Sequence, residues 1–144
     1  MARKLAFVAM CGFVVFVAAG STRAQQPSGA AAASAGLFAE AQARRGGALY
    51  NENCAQCHRF DLTGGDQAPA LIGPSFTLRW TDKPLSALFD YMRTEMPLNS
   101  PGGLSPQQNA DLLAFVLQKS GYAAGTADLP STSEALARLR LSTK

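Results

Sequence analysis

The hydrophobic and polar positions along the chain predict a small helical domain. Apolar residues recur at helical spacing in three segments, and from residue 37 onward no run of four or more residues alternates in the manner of a half-buried strand. Because helical patterns account for most of the chain between about Leu37 and Ser120, we predict an all-α fold.

The first predicted helix runs from about Leu37 to Asn53. Gly46 and Gly47 stand in its middle, each at a cost of about 1 kcal/mol relative to alanine, which indicates that another helix crosses closely there. The residues predicted to face inward are Phe38, Ala41, Leu49 and Tyr50.

Two further helices are predicted downstream. The second begins around Asp82, with Pro84 in its first turn, and ends before Pro97. The third begins with a capping-box pattern at Ser105–Gln108 and runs to about Ser120. Their apolar positions are Leu85, Leu88, Phe89 and Met92 in the second helix, and Leu112, Leu113, Phe115, Val116 and Leu117 in the third.

The segment between the first two helices is predicted to have no regular structure over about 20 residues, which is long for a small domain and indicates that another group holds it in place. Its turn-forming residues are Gly64, Gly65, Pro69, Gly73 and Pro74.

The amino terminus has the three parts of a secretory signal peptide: Arg3 and Lys4, an apolar run of 15 residues, and small residues ending at Ala24. We predict a signal peptide over residues 1–24, followed by a flexible leader over 25–36. The alternative is an uncleaved membrane anchor, but the apolar run would span only about 22 Å of a hydrocarbon core about 30 Å thick. After cleavage we expect no stable membrane span.

The net charge of +3 comes from this amino-terminal segment. Without Arg3, Lys4 and Arg23, ten Lys plus Arg face ten Asp plus Glu. A near-neutral chain lacks the basic patch that displaces counterions from phosphates, so we do not expect binding to nucleic acid.

Cys54, Cys57 and His58 form a Cys-x-x-Cys-His motif, the attachment pattern of c-type haem. Two thiols at this spacing can each form a thioether with a haem vinyl group, while the next residue turns its imidazole toward the iron. We therefore predict one covalently bound haem c, with His58 as an axial iron ligand.

Three other interpretations of this motif are possible. A redox dithiol follows a strand in a βαβ unit, and no strand is predicted here. A zinc site needs a fourth ligand, which would have to be a carboxylate because the chain after residue 24 contains no other Cys or His. A disulfide across two residues would constrain little of the unfolded chain. Haem attachment is the favoured interpretation.

A low-spin electron carrier needs a second axial ligand, and methionine is a soft thioether that raises the potential. The only methionines after the predicted signal peptide are Met92 and Met96. Met92 falls on the apolar stripe of the second helix, where core packing is the simpler role. Met96 directly precedes Pro97, which disfavours the helical conformation, so Met96 is the predicted ligand.

With these residues the chain resembles the class I monohaem cytochromes c over about Gly46 to Gly121. The resemblance implies a cytochrome c fold of three to five helices around one haem, in a domain spanning residues 37–124. The residues that carry it are Gly46, Tyr50, Cys54, Cys57, His58, the stretch 69–73, Trp80, Met96, Pro97 and the segment 112–117.

The resemblance also implies three contacts. Gly46 and Tyr50 would meet Phe115 where two helices cross. The carbonyl of Pro69 would accept a hydrogen bond from the imidazole of His58. Trp80 would lie near a haem propionate, with ordinary core packing as the alternative.

Residues 121–139 resemble the extension found on cytochrome c subunits that accompany quinoprotein dehydrogenases, although Ala124 stands where that pattern often has proline. We predict a C-terminal extension over residues 125–144. A short helical pattern at Leu136, Leu139 and Leu141 is predicted to pack on or near the domain. The family implies a periplasmic electron carrier that is not itself an enzyme. Its donor would be a quinoprotein dehydrogenase, and its acceptor another cytochrome or a terminal oxidase.

The sequence leaves two alternatives to a free carrier. A haem-based ligand-binding or peroxidase-like protein would have a displaceable sixth ligand, but the sequence offers no distal histidine and only Arg79 or Arg93 in its place. A fixed subunit of a larger membrane complex would differ in assembly and share the same chemistry.

Overall fold

The computed structural model describes residues 36–141, so the predicted signal peptide and nearly all of the leader lie outside the described residues. Four helices have eight residues or more, and two are single turns. In chain order they are α1 Glu40–Asn53, α2 Ala55–His58, α3 Gly73–Trp80, α4 Leu85–Glu95, α5 Pro106–Lys119 and α6 Ser133–Leu136.

The predicted all-α fold is confirmed. Over residues 36–141 the backbone forms no β-strand, and its only bridges are the isolated pairs Ala39 with Gly125 and Pro84 with Arg140. Within the same range no helix is long and apolar enough to cross a membrane.

The main helix pair is α1 against α5. A Cβ built on Gly46 would overlap the carbonyl oxygen of Asp111 and come within 2.9 Å of the Phe115 Cβ, so only glycine permits this approach. Four residues on, the Tyr50 ring lies 5.3 Å from the Phe115 ring, centroid to centroid. The predicted meeting of Gly46 and Tyr50 with Phe115 is confirmed.

The buried face of α1 differs from the prediction at one position. Ala41 is exposed, whereas Gln42 is completely buried. The Gln42 amide donates to the Leu129 carbonyl at 3.1 Å, and its oxygen accepts from the Leu129 N–H at 2.6 Å. Burial of a polar side chain is tolerated because both of its polar atoms are paired.

The predicted starts of α4 and α5 are close to the observed ones. The capping box of α5 is present, since Ser105 Oγ accepts from the Gln108 N–H while the Gln108 side chain accepts from the Ser105 N–H. Helix α4 begins at Leu85, directly after Pro84. Leu85, Leu88 and Phe89 are buried as predicted.

The prediction that the segment between the first two helices has no regular structure is wrong over its second half, where α3 forms. Gly73 has φ +82° and Pro74 occupies the first turn, so the Gly-Pro pair that resembles a loop is the start of a helix. The helix buries Phe76 and Trp80, one turn apart, and leaves Leu78 exposed. Eight residues with two inward positions are too few for a clear periodicity.

Residues 125–141, called here the C-terminal segment, return across the domain. Leu129, Leu136 and Leu141 are at most 4% exposed and belong to the same core cluster as α1, α4 and α5. At its start, the Gly125 N–H donates to the Phe38 carbonyl at 2.7 Å. The segment is therefore built into the core of the described domain.

Candidate functional site

A cavity of about 690 Å³ lies between the loop after α2 and helices α3, α4 and α5. Its volume falls within the range of about 300–1,000 Å³ that is typical of small-molecule and cofactor sites. The structure brings all four predicted site residues to its wall: Cys54, Cys57, His58 and Met96.

One helical turn places the two cysteines and the histidine together. Cys54 ends α1 and precedes α2, and its carbonyl accepts from the N–H groups of Cys57 at 3.2 Å and His58 at 3.0 Å. Cys54 is half-buried and Cys57 is exposed. The three side chains thus reach the cavity from a single turn of backbone.

The environment of Cys54 is not that of an activated thiol. Burial, followed by the nearby Cys57, raises the pKa of the Cys54 thiol to about 11. Reactive Cys-x-x-Cys pairs instead have one cysteine with a lowered pKa, because the thiolate is the attacking species.

The ring of His58 is buried and held by the following loop. Its Nδ1 lies 2.8 Å from the carbonyl oxygen of Pro69, and since a carbonyl only accepts, Nδ1 carries the proton and donates. In the neutral imidazole, Nε2 is then the nitrogen without a proton, and it is the one that can bind a metal. The contact that the family resemblance implied between His58 and Pro69 is confirmed.

Gly64 brings Pro69 to His58. The Gly64 N–H donates to the His58 carbonyl at 3.1 Å, and its backbone has φ +69°. A Cβ on Gly64 would approach within 2.5 Å of the Pro69 carbonyl carbon. The loop therefore depends on glycine both for its left-handed conformation and for its close packing.

Both candidate methionines reach the cavity. Met92 lies in the last turn of α4 and is half-buried against the core. Met96 follows the end of α4 with an extended backbone, φ −123° and ψ 152°, as expected before proline, and its N–H donates to the Met92 carbonyl at 3.1 Å. The difference between them is in backbone setting, since one is helical and the other is on a loop.

Trp80 both packs in the core and lines the cavity. Its ring lies 5.8 Å from that of Tyr91, and the guanidinium of Arg79 lies over both rings at 5.4 and 5.6 Å. Arg79 is the one charged side chain among the described residues of the wall. Arg93, by contrast, lies over the ring of Phe89 and is not in the wall.

Most of the remaining wall is apolar. Leu88, Leu112 and Val116, which the sequence pattern marks only as core residues, line the cavity from α4 and α5. Three further apolar residues that no periodicity marks complete this part of the wall, namely Leu71, Phe76 and Leu104. Among residues 36–141, no three His, Cys, Asp or Glu side chains are grouped to hold a metal ion by themselves, so the zinc alternative gains no support. Two thiols, an oriented imidazole and an apolar wall fit haem c.

Comparisons with known proteins agree with this fit. Residues 41–116, more than half of the chain, match the family described as cytochrome C oxidase, cbb3-type, subunit III. Among solved structures, the chain is similar to one in the crystal structure of the sulfane dehydrogenase SoxCD from Paracoccus pantotrophus, with a TM-score of 0.52 and 25% identity. The match covers 81% of this chain and 66% of that chain, slightly less than two thirds of its length.

A search of the curated proteins found no match. The family match spans the motif at Cys54–His58, the loop that orients His58, and the α1–α5 crossing. The chain therefore belongs to the cytochrome C oxidase, cbb3-type, subunit III family, and its domain is a haem-binding cytochrome c domain that carries electrons.

Proposed function

We propose that this protein is a periplasmic electron carrier with one haem c, attached through Cys54 and Cys57 and held at the iron by His58 and Met96. The observation that carries the proposal is that all four side chains line one apolar cavity. The haem, when bound, supplies one-electron exchange between Fe(III) and Fe(II).

The residues of the chain would set the conditions for that exchange. Pro69 fixes the orientation of His58 and places the proton of the neutral imidazole on Nδ1, which leaves Nε2 as the metal-binding nitrogen. Met96 would contribute a neutral, soft sulfur ligand, which favours a higher potential. The apolar wall excludes water and lowers the local dielectric, which also tunes the potential. With His58 and Met96 both bound to the iron, no position there would be open to a substrate.

The alternative of a ligand-binding or peroxidase-like protein requires a polar group over an open iron position. Arg79 reaches the wall, but its guanidinium lies over the rings of Trp80 and Tyr91. Two methionines line the same cavity and can supply sulfur. These contacts favour the electron carrier.

The periplasmic location rests on the predicted signal peptide over residues 1–24, behind which the haem motif would reach the exported compartment. Cell fractionation, with the mass of the mature protein, tests it. Mature protein beginning at Gln25 is expected, and a chain that keeps residues 1–24 would contradict cleavage.

A periplasmic dehydrogenase is the proposed donor, and a cytochrome or terminal oxidase the proposed acceptor. The solved relative is named a sulfane dehydrogenase, and the family is named for an oxidase subunit. Both names support the proposal that this protein exchanges electrons with respiratory redox proteins. A quinoprotein donor is the more specific proposal, and it rests on the resemblance of residues 121–139 alone.

Stopped-flow reduction by purified dehydrogenases tests the donor. The expected result is faster reduction by a quinoprotein dehydrogenase than by unrelated donors. Equal rates with every donor would leave a general electron carrier and remove the quinoprotein assignment.

Covalent attachment is tested by mass spectrometry of the exported protein before and after extraction with acidified acetone. We expect the mass of one haem to stay with the chain. The matched control replaces both Cys54 and Cys57 with serine, which should release haem to the solvent. A haem-free mature protein, or wild-type protein that loses haem to acid acetone, would overturn the proposal.

A further inference from the structure

The two proposed iron ligands come from separate parts of the fold. His58 ends the continuous stretch formed by α1 and α2, whereas Met96 directly follows α4. Among the described helices, α4 packs on α5 and α6, while α1 packs on α5 and α2. Because α1 and α4 share little direct contact, other parts of the chain must fix the distance between the two ligands.

The C-terminal segment is joined to α1 by buried and charged contacts. Leu129 exchanges two hydrogen bonds with the buried amide of Gln42. Next to it, Arg45 Nη2 donates to Asp128 at 2.6 Å and to Asp111 of α5 at 3.1 Å. This end of the segment is thus tied to the helix that leads to the cysteines and His58.

The other end of the C-terminal segment is joined to α4. The Leu85 N–H, at the first residue of α4, donates to the Leu139 carbonyl at 2.8 Å. The Ser133 hydroxyl donates to the carboxylate of Asp90, in the middle of the helix. Arg140 Nη1 donates to the Asp82 carbonyl at 3.0 Å, just before the helix.

Buried leucines complete the attachment. Leu136 is fully buried and Leu141 is 4% exposed, in the same core cluster as Leu88 and Phe89 of α4. Helix α4 is thus held at its start and its middle, and its far end leads directly into Met96. Among the helices of residues 36–141, α5 also packs on both α1 and α4.

From these contacts we infer that the C-terminal segment is a positioning element for the sixth ligand: it sets α4 relative to α1 and so holds Met96 against the iron that His58 binds. This inference rests on the proposed ligation by Met96. It assigns a role to residues that do not line the cavity and that haem attachment does not require.

The test compares two leucine truncations in the holoprotein. Leu136→Ala removes a fully buried side chain from the segment, and Leu117→Ala removes an equally buried one from α5, outside the cavity wall. Imidazole is titrated against the ferric protein, where it competes with the methionine sulfur. We expect Leu136→Ala to strengthen imidazole binding roughly tenfold, within the usual range of coupling between sites, and Leu117→Ala to change it much less.

Ser133→Ala is the second variant, chosen because it removes only the hydrogen bond to Asp90 and leaves the buried leucines in place. It should shift imidazole binding in the same direction by a smaller factor. Hydrogen exchange supplies a readout that does not involve the iron. Amides over residues 85–96 should exchange faster in Leu136→Ala than in Leu117→Ala.

Equal imidazole affinities in the two leucine variants, at equal loss of stability, would show that the segment contributes stability alone and would overturn the inference. Failure of the proposed function gives a different result. In that case the wild-type protein itself would lack the near-infrared band of a sulfur–iron bond and would bind imidazole without competition.

Discussion

Gly46 lies directly against the backbone of Asp111, so closely that a Cβ on Gly46 would overlap the Asp111 carbonyl oxygen. This contact sets the distance between α1 and α5, and the ring pair of Tyr50 and Phe115 lies one turn further along. The helix crossing that supports the haem motif therefore depends on the absence of a side chain at one position.

Gly46→Ala is expected to destabilise the protein by about 1 to 3 kcal/mol, because the added methyl group forces the helices apart and outweighs the better helix propensity of alanine. Urea unfolding of the holoprotein measures the change. Gly65→Ala is the control, since its Cβ would meet only the Arg59 side chain, at 3.8 Å. Equal stability of the two variants would contradict the packing argument.

Gln42→Leu is expected to cost about 1 to 3 kcal/mol for each buried Leu129 backbone group that loses its partner, although leucine is the more apolar residue. The measurement is the free energy of unfolding. Gln118→Leu is the matched control, because its amide donates to Glu40 at the surface. A stable Gln42→Leu variant would mean that the backbone of Leu129 finds other partners.

These two positions show how far the sequence could predict the fold. Gly46 is visible as a glycine in a helical pattern, and the close crossing follows from it. The burial of Gln42 could not be predicted, because its partner Leu129 lies 87 residues away in the sequence. The local pattern shows only a polar residue between two alanines. A local pattern records which face is apolar and does not record which distant backbone group will satisfy an amide.

The cavity shows a similar limit. Leu88, Leu112 and Val116 have the spacing of core residues, and they are core residues, yet they also form its wall. Periodicity cannot separate a side chain that packs on protein from one that packs on a cofactor. The attachment motif could be predicted because its chemistry is confined to five consecutive residues.

Met96→Ala is expected to abolish the near-infrared sulfur–iron band and to lower the reduction potential, because the iron loses its soft ligand. Met92→Ala is the control within the same cavity. It should retain the band and cost about 2 kcal/mol of stability, near the low end for a buried methionine, since Met92 is only half-buried. A band that persists in Met96→Ala and disappears in Met92→Ala would reverse the ligand assignment.

The stability of the folded protein is expected to fall at high pH because of Tyr50. Burial, and then the nearby Cys54 and Asp61, raises the pKa of Tyr50 above its ordinary value. Its neutral phenol therefore contributes stability that is fully present below about pH 10 and is lost as the pH rises from there toward the folded-state pKa.

Tyr50→Phe should flatten this loss above about pH 10. At neutral pH the variant should be less stable by about 0.5 to 1.5 kcal/mol, because the hydroxyl donates to the Arg59 carbonyl at 2.6 Å. Urea unfolding over a pH series measures both effects. Parallel curves for wild type and variant across the alkaline range would show that Tyr50 does not titrate with folding.

The pairing of Phe38 with Gly125 has a practical consequence for attaching the protein to a surface. Gly36 packs against Ala124 and Gly125, so Gly36 lies beside the point where the C-terminal segment begins. None of these residues lines the cavity, whereas the exposed Cys57 and Leu98 do. A linker that attaches Gly36 to an electrode would therefore bind the protein outside the cavity wall. The exposed residues of the wall would remain available for electron exchange.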